Sequence, residues 1–344
     1  MPNIHCFTSI SFSYLDRARV LGESLRRHHP DWTLWLLLSD VEPEGFTFDL
    51  ANEPFDRLVR SEELGIPDFI QWTFGHDIVE MCTAVKGAMM HKLLQEEEAE
   101  AVVYLDPDTA VFAPLDDVIE MVSRHSVVLT PHVVKAEESL GGILDNEIGS
   151  LKHGVYNLGF IAVRVSDEGR RFAAWWRDRL FQFCHDDVPN GLFTDQRWCD
   201  LIPALFENVG ILRSPAYNVA SWNLGQRPIT IGADGVIRAA GIPLRFFHFT
   251  KVNSVGEGPL RHYAYGDTEV FELLRWYRSR LAKHAVAGLT ARWWAYGTYA
   301  DGSAIPRAHR LTWRIRGDLR QHFADPFAVA PDSYKAWCLA EGII

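Results

Sequence analysis

At 344 residues, 47% hydrophobic and 23% charged, the chain has an ordinary globular composition and is long enough for one large α/β domain, alone or with an appendage. Five scattered cysteines (Cys6, Cys82, Cys184, Cys199, Cys338) show no C-x-x-C spacing, which argues against a disulfide framework or a zinc knuckle and fits a reducing, cytoplasmic setting. The net charge of −11 argues against a general nucleic-acid binder, but residues 245–320 carry 13 Lys/Arg and 6 Asp/Glu, a local +7 that leaves −18 to the remainder.

The N-terminal "MPNIHCFTSISFSYL" lacks a signal peptide's basic start and long apolar core. The apolar run "LWLLL" at 34–38 is far too short to span a bilayer, although attachment to the inner face of a membrane stays open.

The first half alternates between strand and helix patterns. "NIHCFTSI" reads as a buried strand, and "YLDRARVLGESLRRHH" as a helix with Leu15, Ala18, Gly22 and Leu25 on one face. "TLWLLLSD" and "FDRLVRS" are further strands, and "HDIVEMCTAVKGAMMHKLLQEEEAE" is a long helix. Then comes "AVVYLDPD". This alternation implies an α/β fold with a mostly parallel sheet, in which ligands bind beyond the carboxyl ends of the strands. Asp106 and Asp108 stand at such an end.

Further on, "SVVLTPH" and "NLGFIAVRV" read as strands, followed by a helix from about Glu168 to Cys184. "TDQRWCDLIPALF" reads as a helix with Thr194 as its N-cap. "VGILRSP" and "LRFFHFT" are strands, and a helix is expected from Asp267 to Lys283. A soft boundary lies near 252–258, and the remainder reads as a helical appendage. Trp276, Trp293, Trp294 and Trp313 lie among its arginines, so this segment either packs as a helical cap or faces something anionic.

Four polar groups could carry chemistry. The D-x-D of Asp106 and Asp108 suits a hard divalent cation, Mg²⁺ or Mn²⁺, which takes oxygen ligands and shares them with phosphates. Asp-Pro-Asp is equally good turn chemistry. His248, near a strand end, is either a packed core histidine or a metal ligand, with the cation Lys251 close behind. Asn157 opens a strand, and Gly159 after it permits close backbone approach. Asp195 and Gln196 either complement a helix dipole or present polar groups to a sugar.

In order and spacing, Asp106-x-Asp108, Asn157-Leu-Gly159, Asp195-Gln196 and His248 resemble glycosyltransferases of the GT-A fold, above all retaining family 8. The series "TAVK…VVYLDPD…LTPH…YNLGF…DQRW…NVASWNL…FFHF" is similar to a bacterial branch associated with surface-polysaccharide genes. The resemblance covers roughly residues 1–265, which it implies to be the catalytic domain, with 266–344 as a helical extension on the acceptor side.

What it implies is transfer of a sugar from a nucleotide diphosphate, UDP first, to a glycan, lipid-linked or protein acceptor. Asp106, Asp108 and His248 would hold Mn²⁺ or Mg²⁺. Thr8, Ser9, Lys86, Asp106, Asn157 and Lys251 would meet the donor, and Asp195 and Gln196 would serve the reacting sugar. His132, Asn218, Trp222 and Asn223 would meet donor sugar or acceptor. Where the family has Gly and Lys three and six residues after the histidine, this chain has Lys251 and Ser254. The diphosphate cation is therefore Lys251, or Arg261 with His262. Retention needs no strong protein base, whereas inversion would call on His132.

A nucleotidyltransferase would need a Gly-rich phosphate loop that "TSISFSYL" lacks. A two-metal phosphoesterase would need a denser His/Asp set. A non-catalytic nucleotide-sugar binder is the remaining alternative.

Overall fold

The computed structural model describes residues 2–96, 98–252, 257–264, 266, 268–289 and 293–344. Nine strands bear on the site: β1 (Ile4–Ile10), β2 (Thr33–Leu38), β3 (Arg57–Arg60), β4 (Ala101–Leu105), β5 (Thr109–Val111), β6 (Val127–Pro131), β7 (Tyr156–Arg164), β8 (Val209–Ile211) and β9 (Phe246–His248). Seven form one sheet in the order β8-β6-β7-β4-β1-β2-β3. Pairs β1–β2, β2–β3, β1–β4 and β6–β8 are parallel, and only β7 runs against its neighbours. This is the expected mixed α/β fold. β5 and β9 pair antiparallel as a separate ribbon.

The helices used below are α1 (Leu15–His28), α2 (Phe69–Phe74), α3 (Ile78–Leu93), α4 (Asp116–Arg124), α5 (Asp167–Phe183), α6 (Glu269–His284), α7 (Arg307–Ile315), α8 (Gly317–His322) and α9 (Tyr334–Ala340), with shorter helical segments between them. Strand periodicity of two distributes β1 between two cores. Ile4, Cys6 and Ile10 pack with Leu15, Ala18, Leu21 and Leu25 of α1. Phe7 packs on the other face with Met81, Val85 and Met89 of α3 and with Phe172 and Trp176 of α5. Helix α3 begins at a capping box: Asp77 accepts from the Val79 and Glu80 amides, and Glu80 accepts from the Asp77 amide. Gly87 lets α3 and α5 meet closely, since a Cβ there would lie 2.8 Å from Arg177 Cα.

Two expectations need correction. The helix expected from Thr194 is a turn, then a 3₁₀ segment (Arg197–Leu201) and a short helix (Ile202–Leu205). Thr194 is no N-cap: its φ of 44° is left-handed, a strained conformation for a β-branched residue, and that turn carries Asp195 inward. Packing runs across the position 265/266. Val270, Leu273, Leu274 and Tyr277 of α6 share one core with Phe247, Phe249, Leu260 and Tyr263. Ser254, part of the soft boundary at 252–258, and Asp267 lie outside the described residues.

The basic C-terminal part spends much of its charge internally. Phe74, Tyr299, Trp313, Leu319, Phe323, Tyr334 and Cys338 form a separate core that docks the appendage on α2. Arg310, 4% exposed, donates to the carbonyls of Phe74, His76 and Tyr296. Arg314 pairs with Glu80, which is fully buried. The four tryptophans belong to different clusters and make no common face. Among the described residues, no helix is long and apolar enough to cross a membrane.

Candidate metal centre

Strand β4 is sealed in the core from Ala101 to Leu105 and leaves it at Asp106. Asp106 begins a tight turn: its carbonyl accepts from the Thr109 amide at 3.1 Å and the Thr109 hydroxyl at 2.8 Å. Pro107 presets φ at the second position of that turn. The chain then enters β5, where Thr109 lies opposite His248 of β9, and the Phe249 amide donates to the Asp108 carbonyl at 2.7 Å. This register brings the two motifs together. His248 Nε2 lies 3.0 Å from Asp108 Oδ1 and 3.6 Å from Asp106 Oδ2. One ligand atom from each of the three residues lies within 4.8 Å of the others, the only such group among the described residues. Gly159 makes room for the ring, because a Cβ there would lie 2.6 Å from His248 Cε1.

Burial disfavours a charged His248, but Asp108 and then Asp106 outweigh it and raise its pKa. Burial likewise pushes the Asp108 carboxyl up, and His248 more than reverses this, leaving it lowered. Two converging carboxylates and one imidazole therefore fit a divalent cation, with hard oxygens suited to Mg²⁺ or Mn²⁺ and a nitrogen that Mn²⁺ accepts readily.

Lys86 on α3 is 2% exposed. Its ammonium lies 3.2 Å from Asp106 Oδ1 and 2.9 Å from Asp195 Oδ2, and 4.2 Å from the Tyr104 ring centroid. Thus Lys86, expected at the donor diphosphate, is committed to two carboxylates. Tyr104 Oη also donates to Asp106 Oδ1, at 2.5 Å. With Oδ1 so occupied, Oδ2 is the oxygen turned toward His248. Burial raises the Asp195 pKa against the pull of Lys86.

The remaining polar residues form one network. Gln196 donates to the His153 carbonyl at 2.9 Å and accepts from the Leu158 amide and Asn157 Nδ2. Asn157 also contacts His132 Nε2 at 3.2 Å, while His132 Nδ1 meets the Val155 carbonyl at 3.3 Å. Asn218 and Asn223 are buried, 0% and 1% exposed. Trp222 stands edge-on to His132 and His248, with ring centroids 5.5 and 5.6 Å away.

A cavity of about 220 Å³ opens over the centre. Its wall includes Ser9, Ser11, Tyr14, Val79, Thr83, Asp106, Asp108, Thr250 and Lys251. Thr8 is not part of it: alternation along β1 turns Thr8 into the core, 1% exposed. Two cations line this cavity among the described residues, Lys86 and Lys251, the latter with φ of 52°. Arg261 instead lines a separate cleft with Arg275 and Arg278. Larger clefts elsewhere, of about 720 and 520 Å³, lack any comparable ligand group among the described residues. Sequence reasoning missed Tyr104 and Tyr14. Tyr104 could have been found, since i and i+2 on a strand point the same way and set its hydroxyl beside Asp106.

Fold and site together define an α/β protein with a candidate divalent-cation centre at the carboxyl end of its sheet. No family model matches the chain. It is similar to two uncharacterized proteins of Bacillus subtilis (strain 168). YfnF is 26% identical over 262 residues, 75% of this chain and 84% of that one; YfnD is 23% identical over 262 residues, 75% and 80%. Among solved structures, the glycosyltransferase GlyE of Streptococcus pneumoniae TIGR4 aligns at a TM-score of 0.44 and 16% identity over 82% of this chain, which spans 64% of GlyE. The galactosyltransferase LgtC, in complex with donor and acceptor sugar analogs, aligns at 0.42 and 15% identity, over 80% of this chain and 99% of that one. These are distant likenesses of fold.

Proposed function

We propose that the protein is a metal-dependent glycosyltransferase of the hexosyltransferase type. It moves a sugar from a nucleotide diphosphate, UDP first, to a glycan, lipid-linked or protein acceptor, with retention of anomeric configuration. The observation that carries this reading is the convergence of Asp106, Asp108 and His248 on one another, beside a cavity lined by both aspartates and by Lys251. Its motif order, as in the family-8 resemblance, supports the same reading.

Breaking the anomeric C–O bond develops positive charge on the sugar and negative charge on the departing diphosphate. A bound divalent cation supplies neutralising charge to that diphosphate. Lys251 adds a second positive charge from the cavity wall. Lys86 and Tyr104 hold Asp106 in the orientation its ligand role needs. Asp195 keeps Lys86 in place, and Gln196 keeps Asn157 in place. Retention is favoured by the state of His132, the one base considered for inversion. Burial lowers its pKa to about 4, and both ring nitrogens are engaged, so it is poorly suited to take a proton. The leaving phosphate then accepts the proton of the acceptor hydroxyl.

The test is a thermal-shift panel of nucleoside diphosphates with and without Mn²⁺. UDP at about 100 times its Kd adds about 2.7 kcal/mol, which for a chain of 344 residues raises the melting temperature by about 4 °C. An equal shift in EDTA refutes the cation clamp. Mn²⁺-dependent binding without turnover of any donor supports the non-catalytic binder instead.

A further inference from the structure

The orientation of one buried amide can be traced from a backbone donor that cannot be reversed. The Gly159 amide lies 3.0 Å from Asn157 Oδ1, so that atom is the oxygen. Asn218 turns its Nδ2 to the same oxygen at 3.1 Å. Its own Oδ1 therefore faces His248 Nδ1, at 3.3 Å, and that ring nitrogen carries a proton. His248 Nε2 is left facing Asp108 and Asp106, the arrangement in which it offers a lone pair to a cation.

This relay requires Asn218 to stay at φ 52°, in the left-handed region. Two side chains hold its carbonyl there: Asn223 Nδ2 at 3.0 Å and Arg227 Nη1 at 3.1 Å. Arg227 Nη1 also takes the Tyr217 carbonyl, at 2.5 Å. Arg227 is 0% exposed, and among the described residues it has no carboxylate partner. Its Nε and Nη2 make no hydrogen bond to the described residues. Burial lowers its pKa to about 10. A guanidinium without a counter-ion is expensive to bury, and all its polar contacts go to the turn that aims Asn218.

We propose that Arg227 is a positioning residue for His248: it locks the Asn218 backbone, and the Asn157–Asn218 amide pair then dictates which imidazole nitrogen faces the cation. The proposal rests on reading Asp106, Asp108 and His248 as a cation centre. Two readouts on the full chain test it, neither of them turnover. One is Mn²⁺ affinity by electron paramagnetic resonance without nucleotide. The other is solvent exchange of the His248 Nδ1 proton by ¹⁵N NMR in metal-free protein.

Arg227→Met is expected to weaken Mn²⁺ binding about 10- to 100-fold and to speed the exchange, and Arg227→Lys to restore part of both. Asn218→Ala, which removes the acceptor directly, carries the same two readouts if Arg227→Met does not fold. A merely structural Arg227 would lower the melting temperature and leave affinity and exchange as in the wild type, and that result overturns the proposal. Wild-type protein without Mn²⁺ affinity would refute the cation centre itself, and the exchange measurement alone would then decide the role of Arg227.

Discussion

Replacing Lys86 by Met removes the one cation paired, among the described residues, with Asp195, a carboxylate 2% exposed. Breaking a buried pair from one side leaves an uncompensated charge and costs about 3–5 kcal/mol. Unfolding entropy is about 2.1 cal/mol/K per residue, so for 344 residues each degree corresponds to about 0.7 kcal/mol. The melting temperature should therefore fall by about 4–7 °C. The deficit must depend on pH in a definite direction. Without Lys86 the native pKa of Asp195 rises further above its unfolded value of about 3.9, so the native state binds more protons than the unfolded one. Stability relative to wild type then recovers as pH falls. Removing Asp195 as well, in Lys86→Met/Asp195→Leu, should give back much of the loss, with a coupling of about 2–3 kcal/mol. Calorimetry of the four proteins between about pH 8 and pH 5 is the assay. A single variant that melts within about 1 °C of wild type, or whose deficit does not change with pH, refutes the account of Lys86 as a buried clamp.

Asp108→Asn and His248→Ala should each abolish most turnover and weaken Mn²⁺-dependent nucleotide binding, and the double variant should be barely worse, because the residues act as one unit; losses that multiply would show independent roles. His29 should make stability pH-dependent on its own. Its Nε2 accepts from the Leu115 amide at 2.8 Å, and burial first of all lowers its pKa to about 4. A folded pKa below the unfolded value of about 6.5 means that this contribution is complete above about pH 6.5 and is lost as pH falls toward about 4, some 2–3 kcal/mol in all. His29→Gln keeps an acceptor that does not titrate. Urea titrations across that range should show a shallower loss for the variant, and parallel curves would rule His29 out.

The strand-end carboxylates were legible because an apolar run that stops at Asp106 marks both a buried strand and its mouth. His248 was legible as a strand-end histidine, and its grouping with Asp108 came only from the family resemblance: the β5–β9 register, joining residues far apart in sequence, is what sets the two side by side. Thr194 misled because an N-cap signal depends on local chemistry alone, whereas its left-handed turn is imposed by the packing that draws Asp195 onto Lys86. For the basic stretch the sequence left two readings, a packed cap or a face toward something anionic. A charge count cannot see that Arg314 meets Glu80 and that Arg310 meets the Phe74 carbonyl, more than two hundred residues away. The part Asn218 and Asn223 play in the turn under the imidazole was not legible, because it depends on hydrogen bonds that only the folded chain brings together.

The docking of the appendage on α2 also has a consequence for the order of synthesis. Phe74 is fully enclosed by Tyr299, Trp313, Phe327 and Tyr334, and Glu80 is neutralised by Arg314. All of these partners leave the ribosome after the whole seven-stranded sheet. The growing chain thus carries an open aromatic socket and an unpaired carboxylate at the start of α3, the helix that bears Lys86, for as long as residues 299–338 are unmade. Closure of the socket waits on residues 299–338, so the helix behind the candidate metal centre gains these partners only after the three candidate ligands have been made.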